Sequence, residues 1–392
     1  MTKYNNLFNR HFASSKTLRK RAKQKIPKFS YEYLIEGCMD DIGLHRNRRA
    51  FNFVKMTPEY IRPNLTPDLS CQLFGKLYSA PFGIAPIGLQ GLMWPNAPVI
   101  LARAAYKHNI PFILSTVSSE SLEKIAQVTQ GTAWYQLYNP TEPAILSDLI
   151  SRLTTAQYQH LVITIDVPTF GLRPRDFHNG LAMPPKLNIK NIWQAILKPH
   201  WSLSTLRYGL PKFKNLECYI NNDNKKLELT EFMNTTTMGP LDFDSLKHIR
   251  DLWPHKLIIK GVMSEPDLQR AIQLGADGVI LSNHGARQLD LGEATLPMLN
   301  HFSGYQNKIP LAIDSGIRSG ADIAGACGLG AKFCFLGRFF MYSVCALAEK
   351  GGDHAIYLLK AQLTQVMQQV GAGTLKDLCE KVDLTLTEKS DF

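Results

Sequence analysis

The stretch Asp277-Gly-Val-Ile-Leu-Ser-Asn-His-Gly-Ala-Arg-Gln288 places a histidine and an arginine three residues apart, directly after a short apolar run. A histidine can take a proton near neutral pH, and a guanidinium offers a planar fork for a carboxylate. His284 and Arg287 together describe a base aimed at an anionic substrate. Loop histidines and arginines are also common as plain solvated groups, so the pair needs elements that position it. The apolar run 277–282 is bounded by Gly275 and Gly285 and suits a buried strand better than a helix. In parallel α/β folds, chemistry collects in the loops beyond the carboxyl ends of strands.

Stepping outward, the same kind of run recurs at 81–86, 111–116, 132–138, 161–166, 256–261, 310–314 and 332–337. Segments of helical length and pattern lie between them, at 97–108, 121–128, 143–153, 264–274, 321–327 and 339–349. Ser264 and Ser319 stand where helix N-caps belong, since a hydroxyl can satisfy a free first-turn amide. The alternation predicts an α/β chain folded as a closed parallel (β/α)8 TIM barrel, with an open doubly wound sheet as the alternative.

Polar residues at the run ends favour the barrel. Ser115 follows the second run, Gln136 and Tyr138 close the third, Thr164 and Asp166 the fourth, and Lys260 the fifth. His284 and Arg287 follow the sixth, Asp314, Gly316 and Arg318 the seventh, and Gly337 and Arg338 the eighth. Strand ends are polar wherever chains emerge into solvent, but solvation alone does not require a lysine, a histidine and arginines at successive ends. A glycine beside an arginine after strands seven and eight is a frequent phosphate site in barrels. No GxGxxG opens a βαβ unit, which disfavours a nicotinamide dinucleotide.

Between Asp166 and Lys256 the rhythm stops, and that gap reads as an insertion in the fourth βα loop, long enough to be a lid or docking element. From 177 to 216 it carries no acidic residue, but Lys186, Lys190, Lys198, Arg207, Lys212 and Lys214 mixed with Trp193, Trp201, Leu203, Leu206 and Leu210. Basic groups interleaved with tryptophan and aliphatics suit a segment lying on an anionic bilayer. A surface loop or a subunit contact are the alternatives. The expected layout is one domain over 1–392: a helical lead over 1–75, barrel over 80–166 and 250–350, the insertion over 170–245, and a C-terminal helix and tail over 351–392. Ahead of the barrel, Tyr33 lies off the apolar stripe of Tyr31, Leu34 and Ile35, as a packing aromatic would.

Composition sets bounds on partners. The 392 residues are 45% hydrophobic, ample for a barrel-sized core, and the net charge of +11 favours acidic partners such as anionic lipid or a phosphorylated cofactor. Seven cysteines without a CxxC pair or metal-finger spacing predict reduced thiols, no metal and a cytoplasmic setting. No apolar run reaches about 18 residues, so no helical membrane span is expected.

The motifs SNHGARQLD (282–290), IDSGIRSG (313–320), FLGR (335–338), IKG (259–261), WYQLY (134–138) and TIDVP (164–168) resemble the FMN-dependent L-2-hydroxy-acid dehydrogenase/oxidase family, over about residues 25–380. EYLIEGCMDD, GLQGLMWP and HNGLAMPP are most similar to its bacterial membrane-associated mandelate branch, and WQAILKPHW and RYGLPKFKN to the lactate branch. The resemblance implies His284 as base, Asp166 as its orienting carboxylate, and Arg287 and Tyr33 as holders of a substrate carboxylate, with Tyr138 and Arg173 beside the hydroxyl. It implies FMN held by Pro86, Ile87, Gly88, Ser115, Gln136, Thr164, Lys260 and Ser282. Asp314, Ser315, Gly316, Ile317, Arg318, Gly337 and Arg338 would surround its phosphate end. Lys260 would stabilise the reduced ring. Gly88 resembles the dehydrogenase choice rather than the oxidase one, and Val117, where glycolate oxidase has a tryptophan, leaves room for a larger substrate side chain than glycolate needs. The activity implied is oxidation of an L-2-hydroxy acid of lactate or mandelate type to the 2-oxo acid, with electrons passed to membrane quinone by a peripherally membrane-associated homotetramer and no nucleic-acid partner. A soluble oxidase that uses O2 and releases H2O2, and a catalytically silent FMN- or lipid-binding barrel, are the rival readings.

Overall fold

In the computed structural model, which describes residues 9–169, 171–181, 189–219, 239 and 241–384, the eight apolar runs form eight parallel strands. They are β1 (Phe82–Ile84), β2 (Ile113–Ser115), β3 (Trp134–Leu137), β4 (His160–Thr164), β5 (Lys256–Val262), β6 (Gly278–Leu281), β7 (Leu311–Ile313) and β8 (Phe333–Leu336). From β2 to β8 each strand pairs with the next, and β8 pairs back with β1. The ring closes between β1 and β2, where Ile84 bridges Phe112 and its N–H donates to the Pro111 carbonyl at 2.9 Å. The closed barrel replaces the open-sheet alternative.

Strand alternation decides what fills it. Side chains two apart share a face, so Trp134, Val162, Ile258, Ile280, Ala312, Phe333 and Phe335 point inward as one apolar plug. The hairpin of Cys71–Leu73 and Lys76–Tyr78 closes the amino-terminal end, with Phe74 packed under Trp134. His160 stacks on Trp134 with centroids 4.6 Å apart, and burial pushes its imidazole down to about 3. It packs as part of the apolar plug. Outward-facing residues of the same strands pack against a ring of helices: Ala97–Lys107, Leu122–Thr129, Pro143–Thr155, Phe243–Leu252, Glu265–Gln273, Thr295–His301, Gly320–Gly328 and Arg338–Leu347. Ser264 and Ser319 cap theirs as expected, accepting from the Asp267 and Asp322 amides. The helix Phe243–Leu252 begins inside the stretch assigned to the insertion, so the barrel resumes earlier than the sequence rhythm suggests.

Three leading helices, Ser15–Lys25, Lys28–Ile35 and Ile42–Arg49, bind the barrel from outside. The first has a Ser14–Thr17 capping box and buries Leu18 and Ala22 while its basic residues stay outside; it packs on Arg338–Leu347. After the long helix Gly351–Val370, Val382–Leu384 pairs antiparallel with Val54–Met56, so what reads as a tail is stitched to the lead. Residues 385–392 lie outside the described residues.

The insertion contributes the helices Pro174–His178, Ile189–Ile196 and Pro199–Tyr208; Lys186 and residues 220–238 lie outside the described residues. Trp201 turns inward, edge-on to Phe29 at 5.8 Å, and Gln194 accepts the Phe29 amide at 3.0 Å. Trp193, Leu197, Leu203, Leu206 and Leu210 stay exposed, Leu206 at 82%. Among the described residues no helix is long and apolar enough to cross a membrane, and no group of three or more His, Cys, Asp or Glu could hold a metal. All seven cysteines are free thiols.

Candidate active site

One layer above the apolar plug, the next inward position on six consecutive strands is polar: Ser115, Gln136, Thr164, Lys260, Ser282 and Asp314. All six are buried. A period of two thus converts a run of apolar strands into a polar floor at the carboxyl end of the barrel. Ser115 Oγ donates to Gln136 Oε1 at 2.8 Å. Lys260 Nζ donates to Ser282 Oγ at 2.8 Å, lies 3.3 Å from Asp314 Oδ2 and 3.9 Å from Asp166 Oδ2. Burial would lower the lysine, but Asp314 and Asp166 outweigh it and raise its pKa, so it stays charged in the floor.

The backbone is shaped to let Asp166 reach that lysine. The β5–β6 register shifts between Lys260 and Val262, and Gly261 at the bulge has φ of +105°. A Cβ there would sit 2.7 Å from the Asp166 Cβ, so this position requires glycine both for its dihedral and for the close approach. Burial would raise the Asp166 carboxyl, yet Lys260 and His284 outweigh it and hold it below the usual range. Asp166 Oδ1 meets His284 Nδ1 at 2.8 Å, which orients the ring and leaves Nε2 facing the cavity.

The His284 loop is held in a costly conformation. His284, Gly285 and Ala286 all have positive φ, of 57°, 65° and 58°, at roughly 1–3 kcal/mol for a non-glycine residue. Its neighbours fix it: Ser282 Oγ accepts the His284 amide at 3.1 Å, Ser315 Oγ the Gly285 amide at 3.0 Å, and Ala286 O the Cys38 amide at 2.7 Å. Asn283 bonds Asn47 on the third leading helix.

Arg287 turns toward the helix Lys28–Ile35. Its Nη1 donates to the Tyr33 and Glu36 carbonyls, both at 2.9 Å, and the guanidinium lies over the Tyr33 ring at 4.9 Å. Arg173 stands over the same ring at 5.8 Å while pairing with Asp176 at 2.9 Å. Burial and then Arg173 lower Arg287, and its Nη2 is buried with no partner. Two guanidiniums about one tyrosine, one with a free buried nitrogen, form a site for a carboxylate. Tyr138 completes this side; burial and then Asp166 raise its phenol, which therefore remains a donor.

At the other end of the cavity stand the loops after β7 and β8. Ser315 and Gly316 have φ of 70° and 85°. Arg318 donates its amide to Asp322 Oδ2 at 2.7 Å, and burial followed by the nearby Arg48 lowers its guanidinium. Arg338 is pushed down to about 9 by burial and then by Arg287 and Arg318. It donates to the carbonyls of Leu34, Gly285 and Glu36 at 3.1, 3.0 and 2.8 Å, leaving two of about five N–H donors for an anion.

The cavity, about 1270 Å³ including its open mouth, joins these ends. Tyr33, Pro86, Ile87, Gly88, Tyr138, Arg173, Lys260, His284 and Arg287 line it, as do Asp314 to Arg318, Gly337 and Arg338. Ser115, Gln136, Thr164 and Ser282 form the buried floor beneath it, and Asp166 stands behind His284. Sequence reasoning missed Phe213, which lines the cavity from the insertion, and Glu36, whose carbonyl receives both Arg287 and Arg338. A carbonyl acceptor leaves no mark in residue type, and Phe213 stood among many apolar residues of a segment read as surface.

The donor set fits FMN at both ends. Gln136 Nε2 and Thr164 Oγ1 are buried polar atoms with no partner, suited to the polar edge of a flat ring. Arg318 and Arg338, both depressed by burial, form a cationic pair that a phosphate would neutralise.

The comparisons agree with that chemistry. Residues 22–384 match the family model described as FMN-dependent dehydrogenase. The (S)-mandelate dehydrogenase of Pseudomonas putida is 37% identical over 374 residues, covering 95% of this chain and 93% of the relative. An L-lactate dehydrogenase of Vibrio parahaemolyticus is 31% identical over 368 residues, covering 93% and 97%. The crystal structure of a monotopic membrane protein, (S)-mandelate dehydrogenase, superposes with a TM-score of 0.88 at 35% identity, over 95% of this chain and 99% of that one. With a barrel whose carboxyl end gathers a histidine–aspartate pair, a buried lysine and two arginine centres, the chain belongs to the FMN-dependent 2-hydroxy-acid dehydrogenase family.

Proposed function

We propose that this chain oxidises an L-2-hydroxy acid of lactate or mandelate type to the 2-oxo acid, with His284 as base and Arg287 as carboxylate clamp. The observation that carries the assignment is the 2.8 Å His284–Asp166 pair sharing one cavity with the unpartnered Arg287 Nη2. FMN, when bound, supplies the acceptor for the two electrons that leave as the substrate's C–H bond breaks.

The protein's own groups do the rest. Arg287, with Tyr33 and Arg173, fixes the substrate carboxylate, and that orientation is mainly an entropic contribution. His284 Nε2 takes a proton from the substrate, and Asp166 stabilises the imidazolium as it forms. Tyr138 donates to the substrate's hydroxyl oxygen. Lys260, held charged by its two carboxylates, stands where it would stabilise negative charge on the ring. Pro86, Ile87, Gly88, Ser115, Gln136, Thr164 and Ser282 would hold that ring. Ser315, Gly316, Arg318, Gly337 and Arg338 would hold its phosphate.

The exposed apolar face of the insertion, with Lys190 and Arg207 among its aliphatics, supports peripheral binding to an anionic membrane and electron transfer to a quinone dissolved there. Assembly as a homotetramer belongs to the same proposal and is read by light scattering. Purified protein should be yellow, and its flavin absorbance should bleach on anaerobic mixing with L-lactate or (S)-mandelate. Colour should return faster with added quinone than with oxygen. A protein that cannot be loaded with FMN would overturn the reading.

A further inference from the structure

The insertion does more than carry an exposed face, because its returning limb enters the cavity. We propose that Phe213 is a specificity-determining wall of the substrate's side-chain subsite, fitting it to 2-hydroxy acids with an apolar side chain of about phenyl size. The inference rests on the hydroxy-acid reading above and adds to it the residue that selects among such acids.

The cavity divides chemically. Its ionic groups, His284, Arg287, Arg173 and Tyr138, would hold the carboxylate and hydroxyl that every 2-hydroxy acid shares. The loops after β1, β2 and β4 and the insertion bring apolar side chains to the same cavity: Leu89, Met93, Val117, Val167 and Phe213. The one amide side chain in the lining, Gln288, is engaged by the Gly171 amide at 2.7 Å, so these five offer their surface to an apolar substituent. Phe213 is the largest of them and only 4% exposed, although the two helices before it in the chain are largely bare.

Phe213 is also fixed to the barrel, as a selective wall must be. Two residues on, the fully buried Asn215 donates its amide to the carbonyls of Ser115 and Thr116, each at 3.2 Å, and accepts the Leu122 amide at 2.7 Å. The Lys214 amide donates to the Ser118 carbonyl at 3.2 Å. From the far side, Arg152 donates to the Asn215 carbonyl at 3.1 Å and to the Tyr219 hydroxyl at 3.0 Å. These bonds clamp the limb onto the loop after β2, the same loop that presents Val117. Phe213 and Val117 are therefore held by one rigid unit, while the helices 189–208 are tied to the leading helices through Gln194, Lys198 and Trp201. Asn215 acts as a positioning residue, through Phe213.

The test uses FMN-loaded protein. Anaerobic rapid mixing gives kcat/KM for flavin bleaching by (S)-mandelate and L-lactate, and titration of the oxidised protein gives Kd for phenylacetate and acetate, which carry no hydroxyl and cannot react. Phe213→Ala should lower the mandelate-to-lactate ratio of kcat/KM by at least about tenfold, with lactate within about threefold of wild type. Phenylacetate should weaken by a similar factor and acetate should not. Asn215→Ala should raise KM for mandelate with kcat largely kept. Phe213→Leu, which keeps the volume apolar, should recover part of the ratio and decides the matter if the alanine variant does not fold. An unchanged ratio, or equal losses on both substrates with FMN still bound, overturns the inference. If wild type is bleached by no 2-hydroxy acid but Phe213→Ala still weakens phenylacetate alone, the subsite stands and the functional reading falls.

Discussion

Asp166→Asn tests the centre of the proposed chemistry with little change in shape. The substitution keeps the side chain's size and its reach to His284 Nδ1, now 2.8 Å away, and removes the charge. Opposite charges about 4 Å apart attract by about 4 kcal/mol at an effective dielectric of about 20. If the imidazolium is fully formed in the transition state, that stabilisation is lost there, and at about 1.4 kcal/mol per factor of ten the rate should fall about 10³-fold. An asparagine amide can also donate to Nδ1 and hold the tautomer whose Nε2 is already protonated, which would deepen the loss. Lys260 keeps Asp314 at 3.3 Å, so the floor retains a counterion and the variant should still bind FMN. The assay is the first-order rate of anaerobic flavin bleaching at saturating substrate, with flavin content measured on the same sample. A flavin-loaded Asp166→Asn protein that bleaches within about tenfold of wild type would refute the assignment of Asp166 and His284 as a working pair.

Two further outcomes follow from the charges. Lys260→Met leaves Asp166 and Asp314 buried without their cation, a loss of about 3–5 kcal/mol for breaking a buried pair. In the wild type Asp166 is held low, so its contribution is present above the ordinary carboxylate range and fades as pH falls through its folded value. Lys260 is raised, so its contribution is present below the ordinary lysine value and fades as pH climbs through its folded value. In the variant the stranded carboxylates favour protonation, so its deficit in thermal stability should be largest near neutral pH and narrow toward about pH 5; a deficit that ignores pH would contradict this. For the exposed face, replacing Trp193, Leu197, Leu203 and Leu206 together by serine should abolish sedimentation with anionic vesicles while flavin bleaching by substrate persists. Vesicle binding that survives would move the contact elsewhere.

How far the sequence reaches depends on which contacts residue type can encode. Strand period and turn residues are local, so the eight apolar runs mark the barrel, and a polar residue near the end of six of them marks the floor two positions above a buried apolar one. The caps at Ser264 and Ser319 are local as well. The helix Thr295–His301 is short and hidden by its Pro297, and no periodic stripe announces it. Contacts made by backbone carbonyls escape altogether: nothing in Glu36 as a residue type announces that its carbonyl anchors both Arg287 and Arg338. The same holds for the Asn47–Asn283 bond between residues 236 apart. Phe213 escaped for another reason. Its neighbours in sequence lie outside, and only the burial of Asn215, a polar residue that must find partners when enclosed, turns the limb inward.

The directions of the charge shifts separate what the chain balances for itself from what it leaves to ligands. Lys260, as buried as any cation in the site, is raised because Asp314 and Asp166 outweigh its desolvation. Arg287 and Arg338 are lowered, since burial and neighbouring guanidiniums outweigh the carboxylates within reach. Uncompensated buried charge is expensive, and a fold that brings two such guanidiniums to one carbonyl in the wall of a cavity gains most from anions bound beside them. One centre has the glycine-rich turn of a phosphate site; the other has an aromatic ring and a base beside it. The two centres are not independent, since Arg287 and Arg338 donate to the one Glu36 carbonyl: an anion bound at either draws on the positive field of both. Inorganic phosphate held by Arg338 should therefore weaken binding of a substrate-like carboxylate at Arg287, and the reverse, by the same factor, and the weakening should fade as salt screens it.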